Sequence, residues 1–289
     1  MGRGTEQLIK KKIKSVSSTM HITRAMEMVA TAKLNKLQRM VKNFYDYEKN
    51  FSDIFARVVG ATTDFNSPLL YKEEPKKTLV VVFSGDMGLC GAYNNDVIDF
   101  SYKIAEDLKE KFAGFYVVGA RAKSRMAFDK KKVRYSITNV YGTPSYDDAQ
   151  SFANELANIY LNEEDVDSIK IVQGYPKNPL IQLVKVEDFL PIKPVKASNN
   201  VNSVYDYEPE PTELLNAILP QYMGIKMFRI MIEARIAEQN ARQNAMRNAT
   251  ENAKELVKDL TLKYNKARQA YITQEIIEVT NGSEALKDA

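Results

Sequence analysis

The chain has 289 residues, 44% of them hydrophobic and 27% charged, with a net charge of +4, one cysteine, one histidine and no tryptophan. These are ordinary values for a soluble protein with room for one large domain or two small ones. No apolar run approaches the ~20 residues that span a bilayer, and the basic N-terminus has no apolar segment of a secretory signal behind it. Cys90, being alone, excludes an internal disulfide and a cysteine-built zinc site, and fits a reducing compartment. The charge is uneven: residues 1–60 carry 12 Lys/Arg against 5 Asp/Glu, whereas residues 61–211 carry 18 against 22. A basic N-terminal arm implies either an acidic partner, protein or nucleic acid, or a solvated helix face.

Residues 5 to about 59 read as one long helix. Ala30, Leu34, Leu37, Val41, Phe44, Phe51, Phe55 and Val58 recur at steps of three and four, and neither Gly nor Pro interrupts Thr5–Val59. Ser15–Thr23 is the weak point, because its β-branched and hydroxyl residues lower intrinsic helicity. It should depend on tertiary contacts to stay helical.

Gly60–Lys77 reads as a linker. Thr78–Phe83 (TLVVVF) is an apolar run of the kind found in a strand covered on both faces. A glycine-rich turn at Ser84–Gly91 leads into a helix through about Phe112. Gly114–Gly119 is a second buried strand, followed by a helix near Ala120–Asp129, a weak strand near Val133–Thr138 and a helix from Ser145 to Leu161. Ser168–Gly174 and Leu180–Val186 are two further strands; Tyr175–Pro179 between them is too short for a parallel crossover, so they should pair antiparallel. The alternation predicts a small, mostly parallel, Rossmann-like α/β sheet with flanking helices at residues 61–211. Leu190–Pro211, rich in Pro and Asn, should be extended or irregular.

The C-terminal helix starts near Thr212. Pro220 and Gly224 predict a short helix, a kink, and then a long rod. From Met223 to Val279 there is no proline, and an apolar stripe runs from Ala237 through Ala241, Ala245, Ala249, Ala253, Leu256 and Leu260 to Tyr271. A rod of that length, roughly 85 Å, needs a long partner. The N-terminal helix is the natural one, the two chain ends pairing as an antiparallel coiled coil. The organisation expected is therefore residues 1–60 as one coiled-coil helix, 61–211 as the globular α/β domain and 212–289 as the other helix.

No catalytic constellation emerges. Ser84–Gly91 (SGDMGLCG) has the spacing G-x-x-G-x-x-G, neither the dinucleotide fingerprint nor a P-loop, and reads as a tight turn in preference to a nucleotide site. Asp86 has no second set of metal ligands nearby, and His21 is the only histidine. Neither a catalytic site nor a bound cofactor or metal is expected. The polar tail of the rod, Tyr264–Glu278, is expected to outreach the N-terminal helix, which suggests insertion into another protein.

Four segments carry a family resemblance. Ile22–Ala32 (ITRAMEMVATA), Ser84–Gly91, Tyr205–Pro211 (YDYEPEP) and Tyr264–Glu275 (YNKARQAYITQE) resemble, in order and spacing, the signatures of the γ subunits of F-type ATP synthases. The resemblance implies a rotating central shaft made of the two terminal helices. Its tip would lie inside a ring of α and β subunits, and its globular domain, with the ε subunit, would stand on the membrane c-ring at the cytoplasmic face of a bacterial plasma membrane. It implies β-subunit contacts at Met26, Arg268, Gln269, Thr273 and Glu275, and ε or c-ring contacts at Tyr205, Tyr207 and Glu208. Met87 stands where the family's turn motif usually has a basic residue, and the chain has neither room nor cysteine for the redox insertion of chloroplast relatives. Two rival readings remain: a coiled-coil scaffold or nucleic-acid binder using the basic arm, and a nucleotide-binding enzyme resting on Ser84–Gly91 alone.

Overall fold

The computed structural model describes residues 2–62, 67–70, 76–139, 142–193 and 206–285. They fall into two compact units, residues 30–242 and the two chain ends, residues 1–29 with 243–289. Six helices and five strands are named: α1 (Gly2–Val41), α2 (Phe44–Ala61), β1 (Thr78–Phe83), α3 (Tyr93–Leu108), β2 (Phe112–Val118), α4 (Ala120–Phe128), β3 (Val133–Ile137), α5 (Tyr146–Asn162), β4 (Ser168–Pro176), β5 (Gln182–Leu190) and α6 (Pro211–Ala285).

In the unit of residues 30–242 the strands form one sheet in the order β3-β2-β1-β4-β5. β1 pairs parallel with β2 and β4, β2 pairs parallel with β3, and only β4–β5 is antiparallel, as the short connection requires. Every residue of β1 is buried, so the uninterrupted apolar run is explained by cover on both faces. Leu79, Val81 and Phe83 point into a core shared with α5 and α6, while Val80 and Val82 point into a second core with α3 and α4. α5 begins with a capping box: Asp148 N–H donates to Ser145 Oγ and Ser145 N–H to Asp148 Oδ2, both at 3.1 Å.

Two expectations about helices need correction. The N-terminal helix is not continuous: it breaks at Lys42–Asn43, between α1 and α2, with neither Gly nor Pro at the break. The break re-aims the apolar stripe, so that Phe44 meets Phe228 edge-on at 4.9 Å and Phe55 stacks on Tyr222 at 4.1 Å. Conversely, Pro220 and Gly224 do not divide the C-terminal helix, which runs unbroken through both. Leu215, Leu219, Tyr222 and Met223 are buried there, and Gln150 of α5 donates to the Pro220 carbonyl at 3.0 Å. Gly224 is a site of close approach: a Cβ on it would sit 2.1 Å from Gln150 Oε1.

The unit formed by the chain ends is a pair of antiparallel helical segments. Arg247 Nε donates to Glu27 Oε1 at 3.1 Å, Thr23 and Thr250 share a hydroxyl hydrogen bond of 2.8 Å, and Tyr264 bonds Glu6. Partners rise in number along α6 as they fall along α1, which fixes the direction. Thr23 is buried at this contact, the tertiary support that Ser15–Thr23 was expected to need. On α6 the stripe passes through buried Ala253, half-buried Val257 and buried Leu260; Leu256 is exposed, against expectation.

Candidate functional site

The turn Ser84–Gly91 links β1 to α3 at the centre of the sheet. Ser84 N–H and Oγ–H both donate to the Val118 carbonyl, at 2.8 and 3.0 Å, and Ser84 Oγ accepts from Ala122 N–H at 3.0 Å. Asp86 Oδ1 accepts from the amides of Ala120 (2.8 Å) and Asn139 (3.2 Å). Asp86 is thus spent on satisfying the start of α4, whose preceding residue, Gly119, has φ of 102° and offers no capping side chain. Gly85 N–H donates to Asn94 Oδ1 at 2.8 Å.

This turn lies where strand order reverses direction from β1, the position at which open α/β sheets bind ligands beyond their strand ends. Here α6 covers it. Arg242, its side chain 8% exposed, donates to the carbonyls of Met87 and Gly88 at 3.3 Å and to Glu238 Oε1 at 2.6 Å. Glu238 also pairs with Arg235. A Cβ on Gly85 would sit 2.9 Å from Glu238 Oε1. Tyr93 donates its hydroxyl to the Ala234 carbonyl at 2.9 Å, and burial drives its pKa well above the usual phenol range. The space left among Ser84, Asp86, Tyr93, Met231, Arg235 and Glu238 is about 20 Å³. That holds about one water and is far below the ~300 Å³ of a small-molecule site. A nucleotide has no room in the crevice between this turn and α6.

The residues tied to β by resemblance lie in the unit of the chain ends, in two places. Met26, half-buried on α1, is a neighbour of the Glu27–Arg247 pair. Arg268, Gln269, Thr273 and Glu275 are all exposed on α6, and Thr273 donates its hydroxyl back to the Gln269 carbonyl at 2.9 Å. Arg268 is 21 residues beyond Arg247, roughly 30 Å along the helix axis, so Met26 and this group are not brought together. Past the Tyr264–Glu6 contact α6 continues to Ala285 with Ile272, Ile276, Ile277 and Val279 exposed. At the other group, Tyr207 is partly buried against the core of residues 30–242 and Glu208 is exposed; Tyr205 lies outside the described residues. Arg235, Glu238 and Arg242 were not singled out by the sequence, where they look like any charged face of a helix.

The sequence model of a family described as ATP synthase matches residues 5–286. The ATP synthase gamma chain of Geotalea uraniireducens is 36% identical over 284 residues, covering 96% of this chain and 98% of that one. That of Christiangramia forsetii is 37% identical over 285 residues, with 96% and 97% covered. The chain belongs to the ATP synthase gamma family. Among solved structures, a chain from Euglena gracilis mitochondrial ATP synthase, in a complex titled OSCP/F1/c-ring, aligns over 99% of this gamma chain and 95% of its own length, with TM-score 0.69 and 18% identity. A chain from the central stalk and c-ring of the Tetrahymena thermophila enzyme covers 79% of this gamma chain and 99% of its own length, with TM-score 0.60 and 22% identity. Both share its fold. The gamma chain is a subunit of the ATP-synthesising enzyme complex, and no described helix is long and apolar enough to cross a membrane.

Proposed function

We propose that this gamma chain is the rotor shaft in its bacterial form, without a catalytic site of its own. Its division would be residues 1–60 and 212–289 as the paired shaft helices and residues 61–211 as the globular base. The observation that carries the proposal is the antiparallel pairing of the chain ends, together with a C-terminal helix whose last turns are exposed past Tyr264. A helix end bearing Ile272, Ile276, Ile277 and Val279 in water is a surface that a surrounding ring would cover. In this reading Met26, Arg268, Gln269, Thr273 and Glu275 meet β subunits, and Tyr205, Tyr207 and Glu208 face the ε subunit and the c-ring. Its place would be peripheral, at the cytoplasmic face of the plasma membrane, with no nucleic-acid partner.

The mechanism follows from differential contact. A shaft that is not three-fold symmetric touches each β subunit differently at any angle. A ligand or partner shifts a conformational equilibrium only by the difference in its free energy of interaction with the two states. Rotation presents a different shaft face to each β subunit in turn, and so shifts each one's nucleotide-binding state. The chemistry stays in the ring.

Mixing the purified chain with the α and β subunits of a related bacterial enzyme tests this. One copy per ring, with ATPase turnover dependent on the chain, is the expected result. A chain that elutes apart from the ring, or only as a homodimer, returns the scaffold reading.

A further inference from the structure

The crevice beyond the end of β1 holds an unusual charge arrangement. Glu238 lies between Arg235, three residues before it, and Arg242, four residues after it, so all three share one face of α6. Their side chains are 15%, 4% and 8% exposed for Arg235, Glu238 and Arg242 respectively. The glycine-rich turn presses against the same carboxylate, since Gly85 leaves it no room for a Cβ. Arg235 also keeps a buried Nε without a hydrogen-bond partner.

We propose that this crevice is an oxyanion site filled from within, with the Glu238 carboxylate as its resident anion and a small free oxyanion able to take its place when that side chain is removed. The neighbouring charges support this. The titratable groups around the carboxylate are Arg235 and Arg242 on α6, Asp86 on the turn, and the neutral Tyr93 and Cys90. With Glu238 present, two guanidinium groups face two carboxylates. Without it, two face one, and the Asp86 Oδ1 is already engaged by the amides of Ala120 and Asn139. A largely buried excess of positive charge draws an anion, because the alternative is an unpaired guanidinium in a site of low polarity. The sheet position that binds free anions in other α/β proteins is thus closed here by a side chain of the covering helix. The same contact fastens α6 to the turn through the Met87 and Gly88 carbonyls.

Replacing Glu238 by Ala removes one CH₂ and one carboxylate, which acetate matches in size and charge. The test is thermal unfolding of the full chain, wild type and Glu238→Ala, in sodium chloride and in sodium acetate of equal ionic strength, with phosphate as a second probe. The expected loss in chloride is on the order of 5 °C, with a saturable recovery in acetate that the wild type does not show. Equal midpoints in chloride and acetate overturn the proposal. So does an equal response of the wild type, which would place the anion elsewhere, for example on Lys10–Lys14. If Glu238→Ala does not fold in chloride, Glu238→Ser, which also leaves the carboxylate's space open, is measured in the same way. If neither folds in chloride, recovery on refolding into acetate supports the proposal, and failure there overturns it.

Discussion

Arg229 of α6 reaches Glu48 of α2 with its Nε at 2.9 Å, joining two helices that are 181 positions apart in the chain. The same guanidinium donates from Nη1 to Glu187 of β5 and to Glu233 of α6, both at 3.0 Å. Its side chain is 13% exposed, and those of Glu187 and Glu233 are 10% and 6%. One cation therefore holds three carboxylates, with Lys185 as a second partner for Glu187 at 2.8 Å.

Arg229→Met should cost about 3–5 kcal/mol, since it strands buried carboxylates instead of removing a pair. Urea unfolding of the full chain measures it. The deficit should shrink as pH falls and the carboxylates take up protons; a deficit independent of pH would mean that only packing was lost.

Burial raises the pKa of Glu48 and Glu233 above 4.5 despite the opposing pull of Arg229. The folded state then holds protons that the unfolded chain releases, so these two groups reduce stability as pH rises from 4.5 through their raised values. Glu187 behaves oppositely: against the effect of burial, Arg229 holds it at about 2, so its contribution is present above 4.5 and is lost between 4.5 and 2. Glu233→Gln should accordingly gain stability relative to the wild type between pH 4.5 and 7. A constant difference across that range would refute the assignment.

Gly174→Ala places a methyl 2.3 Å from the Tyr93 ring, which cannot retreat without losing its bond to the Ala234 carbonyl. A destabilisation of about 2–3 kcal/mol is expected. Gly60→Ala on α2 meets nothing within 4 Å and should be neutral or slightly stabilising. Midpoints of the two variants in one denaturant series decide the matter.

The hydroxyl pair Thr23–Thr250 should show a coupling of about 1 kcal/mol in a double-mutant cycle with valine at each position. Additive single variants would mean that the two helical segments are held at that level by their apolar stripe alone.

Met26→Lys is expected to impair coupling more than assembly in the complete enzyme, because it places a charge where the shaft is proposed to meet β. ATP-driven ion pumping should drop several-fold at unchanged complex yield. Pumping near the wild-type level would count against Met26 as a β contact.

Much of the fold was legible because it is local. TLVVVF announces a strand covered on both faces, five residues between β4 and β5 permit only a hairpin, and Ser145 followed by Asp148 writes a helix start into four positions. The family was legible in its signature segments, above all YNKARQAYITQE; periodicity matched the two long helices to each other, whereas the surrounding ring came from the resemblance alone. What escaped was set by tertiary contact. The break after Val41 has no local breaker and serves Phe44 and Phe55, whose partners are on α6. Pro220 stays helical because α5 and the core hold the surrounding turns. Arg242 meets the glycine-rich turn across 154 positions, and Arg229 gathers its acids from three elements. No window of sequence contains both ends of such a contact.

The pairing of Thr23 with Thr250 spans 227 positions. During synthesis, at about 5–20 residues per second, the first helix leaves the ribosome roughly 10–45 s before its partner exists. Throughout that interval its apolar stripe has nothing of its own chain to cover it. The weakly helical Ser15–Thr23 segment is the part least able to hold its shape meanwhile. The stripe of the first helix therefore waits, uncovered by its partner, until the C-terminal helix has been made.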